Sequence, residues 1–288
     1  MELRLGARTV DLTHRVVVVG ILNRTRDSFY DGGRYLRLDD LLRQAERLVG
    51  DGADVLEVGA RPGGVGVHEV GDEEERELVG TAVVALRERF DTALGVDTTR
   101  AVVATTAFEE GAVLGNDMSG FRDPRYVEVA AAHHAAVVAT HIRRPPGVPD
   151  PDPTFEDVVT EVAEELEQIA ATAVRGGLPQ AAVILDPGLD LGKTWQQSLQ
   201  LLAATEIFAS MGHPLLLGAS NKIFLGRALG GLETRQRDVA TAAACALGVA
   251  RGARVLRVHD ARVGRQAGDL ALAVSGAAGT AASPPGPS

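Results

Sequence analysis

The chain has 288 residues, with 29 Lys or Arg against 39 Asp or Glu, so its formal charge is −10, which excludes the cationic surface that nucleic-acid backbones and anionic membranes attract. Hydrophobic residues at 45% exclude a disordered chain, and the single Cys245 excludes an internal disulfide or a multi-cysteine zinc site. No run approaches the roughly 20 apolar residues of a membrane span, and Met1–Arg15 lacks the apolar stretch of a signal peptide, so a cytosolic protein is expected.

In chain order, short apolar runs fall at Val16–Leu22, Val55–Val58, Leu94–Val96, Val113–Leu114, Val137–Ala139, Val183–Leu185, Leu215–Leu217 and Val255–Val258. They are short and largely β-branched, as parallel strands covered on both faces should be. Helical stripes lie between them. One is formed by Leu41, Leu42, Ala45, Leu48 and Val49; another, from Val158 to Ala173, sits behind a Thr154 cap and ahead of a Gly176-Gly177 stop. Eight strands alternating with helices predict an α/β chain folded as a single (β/α)8 TIM barrel over residues 1–275. A Rossmann-type sheet is the runner-up, but no G-x-G-x-x-G follows the first run. Pro145–Pro153 reads as a stiff surface loop, and the small, Pro/Gly-rich residues 276–288 as a disordered tail.

Barrel active sites lie where strands end. Here the runs are followed by Asn23-Arg24, Asp97-Thr98, Asn116-Asp117, His141, Asp186-Pro187-Gly188 and Ser220-Asn221-Lys222, and the eighth carries Arg257 and His259. Amides and carboxylates converging on one mouth suit a flat heterocycle rich in donors and acceptors. Arg257, His259 and Asn23, on neighbouring strands of a closed barrel, suit an anion such as phosphate, and Arg24 and Arg26 are expected to strengthen that subsite. Taken singly, Asp117, Asp260 and Thr98 are turn or cap residues. His133-His134 is structural within a helix, the acidic run Asp72–Glu77 is a solvated helix face, and Cys245 is a small core residue.

The same segments resemble dihydropteroate synthase, the pterin-binding barrel of folate synthesis. The matching stretches are GILNRTRDSFYDGG, GADVLEVG, GVDTTRA, GNDMSG, DPGLDLGKT, GASNKIFLG and LRVHD, in that order. The resemblance implies condensation of hydroxymethyl-dihydropterin pyrophosphate with 4-aminobenzoate, with Mg2+ assisting departure of pyrophosphate. It implies that Asp97, Asn116, Asp186 and Lys222 hold the pterin, with Arg61 and Ser220 added to the substrate-binding set. Asn23, Arg257 and His259 are matched to the pyrophosphate and Asn23 to its metal, while Lys222, Arg257 and Asp97 carry the catalytic assignment. A homodimer is the implied assembly.

The departures cluster. Where the family reads N-V-T-P-D-S-F, this chain has Arg24 and Arg26 for Val and Pro. Where it reads D-I-G-G-E-S-T-R-P-G, this chain runs from Glu57 through Ala60-Arg61-Pro62-Gly63. The family's G-F-G-K becomes Asp190-Leu191-Gly192-Lys193, and its S-R-K becomes Ser220-Asn221-Lys222. All of these touch the first two loops or the aminobenzoate side, so weak aminobenzoate and sulfonamide binding is expected. Three readings follow: a working synthase, a pterin-binding paralogue with little turnover, and a methyltetrahydrofolate-type methyltransferase relative. The Lys222 and Arg257-Val258-His259 matches argue against the last.

Overall fold

Alternate residues of the apolar runs face opposite ways, and that period of two builds the molecule. The computed structural model describes residues 1–24, 38–61 and 70–281, with side chains as far as residue 277. A hairpin of β1 (Glu2–Leu5) and β2 (Arg8–Asp11) precedes the barrel. The barrel strands are β3 (Val17–Asn23), β4 (Val55–Gly59), β5 (Ala93–Asp97), β6 (Leu114–Asp117), β7 (Ala136–Thr140), β8 (Val183–Asp186), β9 (Leu216–Leu217) and β10 (Val255–Val258). The helices are α1 (Leu38–Gly50), α2 (Asp72–Arg89), α3 (Ala101–Glu109), α4 (Arg125–Ala132), α5 (Val158–Arg175), α6 (Trp195–Ala203), α7 (Thr205–Ala209), α8 (Ile223–Ala228), α9 (Asp238–Ala250) and α10 (Ala261–Ala281).

All eight barrel strands pair in parallel in the order β8-β7-β6-β5-β4-β3-β10-β9, and a bridge between Leu185 and Leu215 closes the circle. Every predicted run is therefore a strand of the predicted TIM barrel. The outward residues, such as Val16, Val18, Leu56 and Val58, pack against the helices in one apolar layer. Inward residues make a second core of Val17, Val19, Val55, Leu114, Ile184, Leu216 and Val255. The hairpin seals the lower end by adding Leu3, Leu5 and Leu12 to that inner core.

Four local expectations are corrected. Helix α5 is capped by Asp157, whose carboxylate accepts the main-chain N–H groups of Val159 and Thr160, so Thr154 is not its cap. His133 and His134 lie just past α4, and His134 takes a left-handed φ of 54°. Within the acidic run, Glu75 is wholly buried rather than solvated. Helix α10 continues through Ala281, so residues 276–281 of the expected tail are helical, and 282–288 lie outside the described residues. Cys245 is a buried core residue, and none of the described helices is long and apolar enough to cross a membrane.

Candidate functional site

Following each inward row toward the strand ends takes it from apolar to polar. Val17 and Val19 lead to Asn23, Val55 to Glu57, Leu114 to Asn116, Ile184 to Asp186, Leu216 to Ser220, and Val255 to Arg257 and His259. The site is thus the upper layer of the barrel interior. Register sets the neighbours: Asp97 pairs with Asn116 on one side and Gly59 on the other. Gly59 leaves room, because a Cβ there would stand 3.6 Å from Asp97 Oδ2 and 3.7 Å from Asn23 Oδ1.

At the centre sits Arg257. Its Nε donates to Glu57 Oε1 at 2.6 Å, and its Nη2 reaches Asp97 Oδ2 at 2.6 Å. Glu57 is wholly buried, and its other oxygen accepts from Asn116 Nδ2 at 3.2 Å. With the Asn116 amide nitrogen turned to Glu57, its Oδ1 faces away. That Oδ1 is buried and lacks a partner among the described residues. Burial pushes the Asp97 carboxyl up to about 7, with Arg257 pulling it down and Glu57 pushing it up. Between two carboxylates, Arg257 stays protonated.

A cavity of about 950 Å³ opens above this layer, lined by Asn116, Asp186, Ser220, Lys222, Arg257 and His259. Asp186 Oδ1 accepts the Gly188 N–H at 2.8 Å, leaving Oδ2 for a ligand. Gly188 is required there: its φ is +67°, and a Cβ would lie 2.0 Å from the His141 carbonyl oxygen. Lys222 Nζ donates to the Leu189 carbonyl, and burial lowers its pKa while Asp186 and Asp190 raise it. Lys193 Nζ is spent on structure, meeting His141 Nδ1 at 2.8 Å and the carbonyls of Gly188 and Leu191 at 3.0 Å. His141 is held neutral, its pKa driven to about 3 by burial and then by Lys193.

A second cavity, about 390 Å³, borders the first through Met118, Asp190 and Leu191, and is walled by Arg61, Arg144 and the Pro145–Val148 loop. Arg61 Nη1 donates to Thr99 Oγ1 at 3.1 Å. A third, about 300 Å³, lies beyond His259 with Asn23 and Arg262 in its wall. The Asn23 amide oxygen and the Asp97 carboxylate both face Gly59 and are hard oxygen donors by type, the class that magnesium accepts. Among the described residues no three His, Cys, Asp or Glu side chains form a metal-binding group.

The structure thus brings Asn116, Asp186, Ser220, Lys222, Arg257 and His259 to one cavity, while Asp97 and Arg61 line the adjacent one. Arg24 is a correction: it was expected to strengthen the anion subsite, yet its guanidinium is buried and donates to the Leu78 carbonyl. Arg26, Pro62 and Gly63 lie outside the described residues. Asp117 and Asp260 are caps, accepting main-chain N–H groups of Ser119, Phe121 and Val263. Thr98 donates to buried Glu75, which also holds Arg100 at 2.6 Å. Glu57 was missed as a site residue, although a carboxylate at an inward position of an apolar strand was a readable signal.

A family model described as pterin binding enzyme matches residues 19–259. The dihydropteroate synthase of Synechocystis sp. is 35% identical over 259 residues, covering 90% of each chain. A Haloferax volcanii protein named probable bifunctional folylpolyglutamate synthase/dihydropteroate synthase is 36% identical over 256 residues, of whose length this chain spans 30%. The solved dihydropteroate synthase of Thermus thermophilus, in complex with 4-aminobenzoate, aligns with a TM-score of 0.82 and 36% identity over 96% of this chain and 99% of that one.

Proposed function

The chain belongs to the dihydropteroate synthase family of pterin-binding enzymes, transferases of folate biosynthesis, and from that premise we propose how its residues divide the work. The pterin ring sits in the large cavity, with Asp186 Oδ2 and Asn116 Oδ1 accepting from ring N–H groups and Lys222 donating to the ring's oxygen or nitrogen acceptors. Arg257 has two duties. It is the counter-ion of Glu57 and Asp97, and its guanidinium lies under the diphosphate, with His259 and Asn23 completing the anion contacts.

In the reaction the acceptor amine forms a C–N bond to the pterin methylene as the C–O bond to diphosphate breaks, and the amine proton passes to solvent. Preorganised donors aimed at the leaving group supply most of the rate in such chemistry. Asn23 would hold magnesium, which would supply charge neutralisation at the diphosphate. The acceptor amine enters beside Arg61 and Leu191, where this chain departs from its family, and we assign it weaker aminobenzoate binding than pterin binding. A homodimer is proposed through α9 and α10, whose Val239, Leu270 and Val274 are 82%, 65% and 61% exposed; light scattering measures that mass directly.

The observation carrying this reading is the single cavity onto which Asn116, Asp186, Lys222 and Arg257 converge. It is tested by a coupled assay with hydroxymethyl-dihydropterin pyrophosphate and 4-aminobenzoate, run beside calorimetry with a simple pterin. Pterin binding with slow condensation is expected, and no pterin binding refutes the assignment. Fast turnover with ordinary sulfonamide inhibition refutes the weakened acceptor side.

A further inference from the structure

Ser220 and His259 face each other because β9 and β10 pair Leu216 with Val255, and four residues further along each chain bring these two side chains level. Ser220 Oγ lies 2.9 Å from His259 Nδ1 and also accepts the main-chain N–H of His259 at 3.2 Å. The hydroxyl still has one hydrogen and a second lone pair, so it can donate to a bare Nδ1 or accept from a protonated one. Burial, followed by the nearby Arg257 cation, brings the His259 pKa down to about 4. At neutral pH the imidazole therefore carries one N–H, and its position decides whether the ring meets an anion as a donor or as a lone pair. His259 lines both the large cavity and the smaller one beside Asn23, so that choice faces the proposed leaving group.

We propose that Ser220 is a positioning residue: by donating to Nδ1 it holds His259 as the Nε2–H tautomer, so the neutral ring offers a hydrogen-bond donor to the diphosphate of the pterin substrate. This rests on reading His259 as a diphosphate contact, and it moves Ser220 from direct substrate ligand to the support of one. It also accounts for a serine kept beside a changed Asn221. Asn221 adopts a left-handed φ of 59°, which asparagine tolerates well, and its main-chain N–H is held by Thr241 Oγ1 at 3.1 Å. The Thr241 bond ties the backbone beside Ser220 to α9, while the His259 N–H ties the Ser220 hydroxyl to the end of β10.

Nitrogen NMR of histidine-labelled protein at neutral pH, with and without inorganic pyrophosphate, tests the tautomer directly; a His259→Gln variant assigns the signal among the seven histidines. His259 Nδ1 is expected at the shift of a bare nitrogen and Nε2 at that of a protonated one, and the reverse pattern overturns the proposal. Ser220→Ala should weaken pyrophosphate binding and raise the KM for the pterin diphosphate by about three- to tenfold, the scale of one hydrogen bond. The KM for aminobenzoate should stay put, and Ser220→Thr should restore the loss. A rise in the aminobenzoate KM alone, or an equal rise in both, overturns the positioning role. If the unaltered chain binds no pyrophosphate, the diphosphate reading itself fails; if it binds with Nδ1 protonated, only the tautomer lock fails.

Discussion

The floor of the large cavity and the wall of its neighbour are built in different ways. Floor residues Glu57, Asn116, Asp186 and Arg257 stand on strands, each one inward step above an apolar residue that the inner core requires. Their places are fixed by the same ladder that closes the barrel. The neighbouring wall draws on Arg61, Arg144 and Leu191, which lie beyond strand ends. Substitutions there leave the core intact, so sequence can drift on the acceptor side while the pterin side stays bound to the fold's own stability.

The sharpest way to break the contrast is to remove a floor residue and ask whether fold and binding fail together. Arg257→Ala leaves Glu57 and Asp97 buried without their shared cation. A loss of about 3–5 kcal/mol of stability is expected in urea denaturation, together with loss of pterin binding. The corresponding change on the wall, Arg144→Ala, should leave stability nearly unaltered, since its side chain is half exposed. Equal costs at both places would dissolve the distinction.

The floor should also declare itself through pH. Asp97 has its folded pKa raised from 3.8 to about 7, chiefly by burial. The folded state therefore holds a proton on it that the unfolded chain has lost, so this group's contribution falls as pH rises from about 4 to about 7. His141 and His259 act in the opposite sense, their pKa values being lowered to about 3 and about 4. The Asp97 component is isolated by subtraction: denaturation midpoints of Asp97→Asn and the parent chain should draw together as pH rises through that window, if the parent is the more stable at its acid end, or diverge in favour of the variant. A difference independent of pH would show that Asp97 is not protonated by folding.

A smaller effect is expected at Asp186. Its Oδ1 already serves the Gly188 N–H, so Asp186→Asn can keep that bond and turn its amide NH2 toward the ring, where a carboxylate oxygen had accepted. Pterin affinity should fall by about 1–3 kcal/mol with little change in stability, read by calorimetry. Unchanged affinity would remove Asp186 from the pterin contacts.

How much of this was legible follows from the same contrast. Strand ends were readable because eight short apolar runs alternating with helical stripes announce a barrel, and the residue after each run is then placed. Glu57 carries no strand-end signal because it stands inside a run; the period of two puts it in the inward row with Val55. Arg24 misled because its charge suggested an anion, while the chain turns its side chain outward to the Leu78 carbonyl. Asp190 and Asn221, which replace family Gly and Arg, both adopt left-handed backbone, at φ of 63° and 59°. Asp190 repays that strain through its carboxylate, which accepts the Phe224 N–H at 3.1 Å and so ties the loop after β8 to α8. Such compensation between distant segments cannot be read from a local motif.

The mildest change, Leu191→Phe, addresses the wall alone. Leu191 borders both cavities, so it lies where a ring bound beside the pterin would rest. An aromatic face in place of the aliphatic one is worth about 0.5–1.5 kcal/mol through ring stacking, which predicts an aminobenzoate KM lower by about two- to tenfold. Pterin affinity and urea midpoint should not move, because no floor contact changes. Adding the family's N-V-T-P-D-S-F and G-E-S-T-R-P-G stretches should then raise kcat, since a misplacement of about 1 Å between amine and methylene can cost about a hundredfold in rate. Steady-state kinetics of the single and combined variants separate these terms. If Leu191→Phe raises the aminobenzoate KM, the leucine is itself shaped to its acceptor, and the wall has been tuned to a different amine.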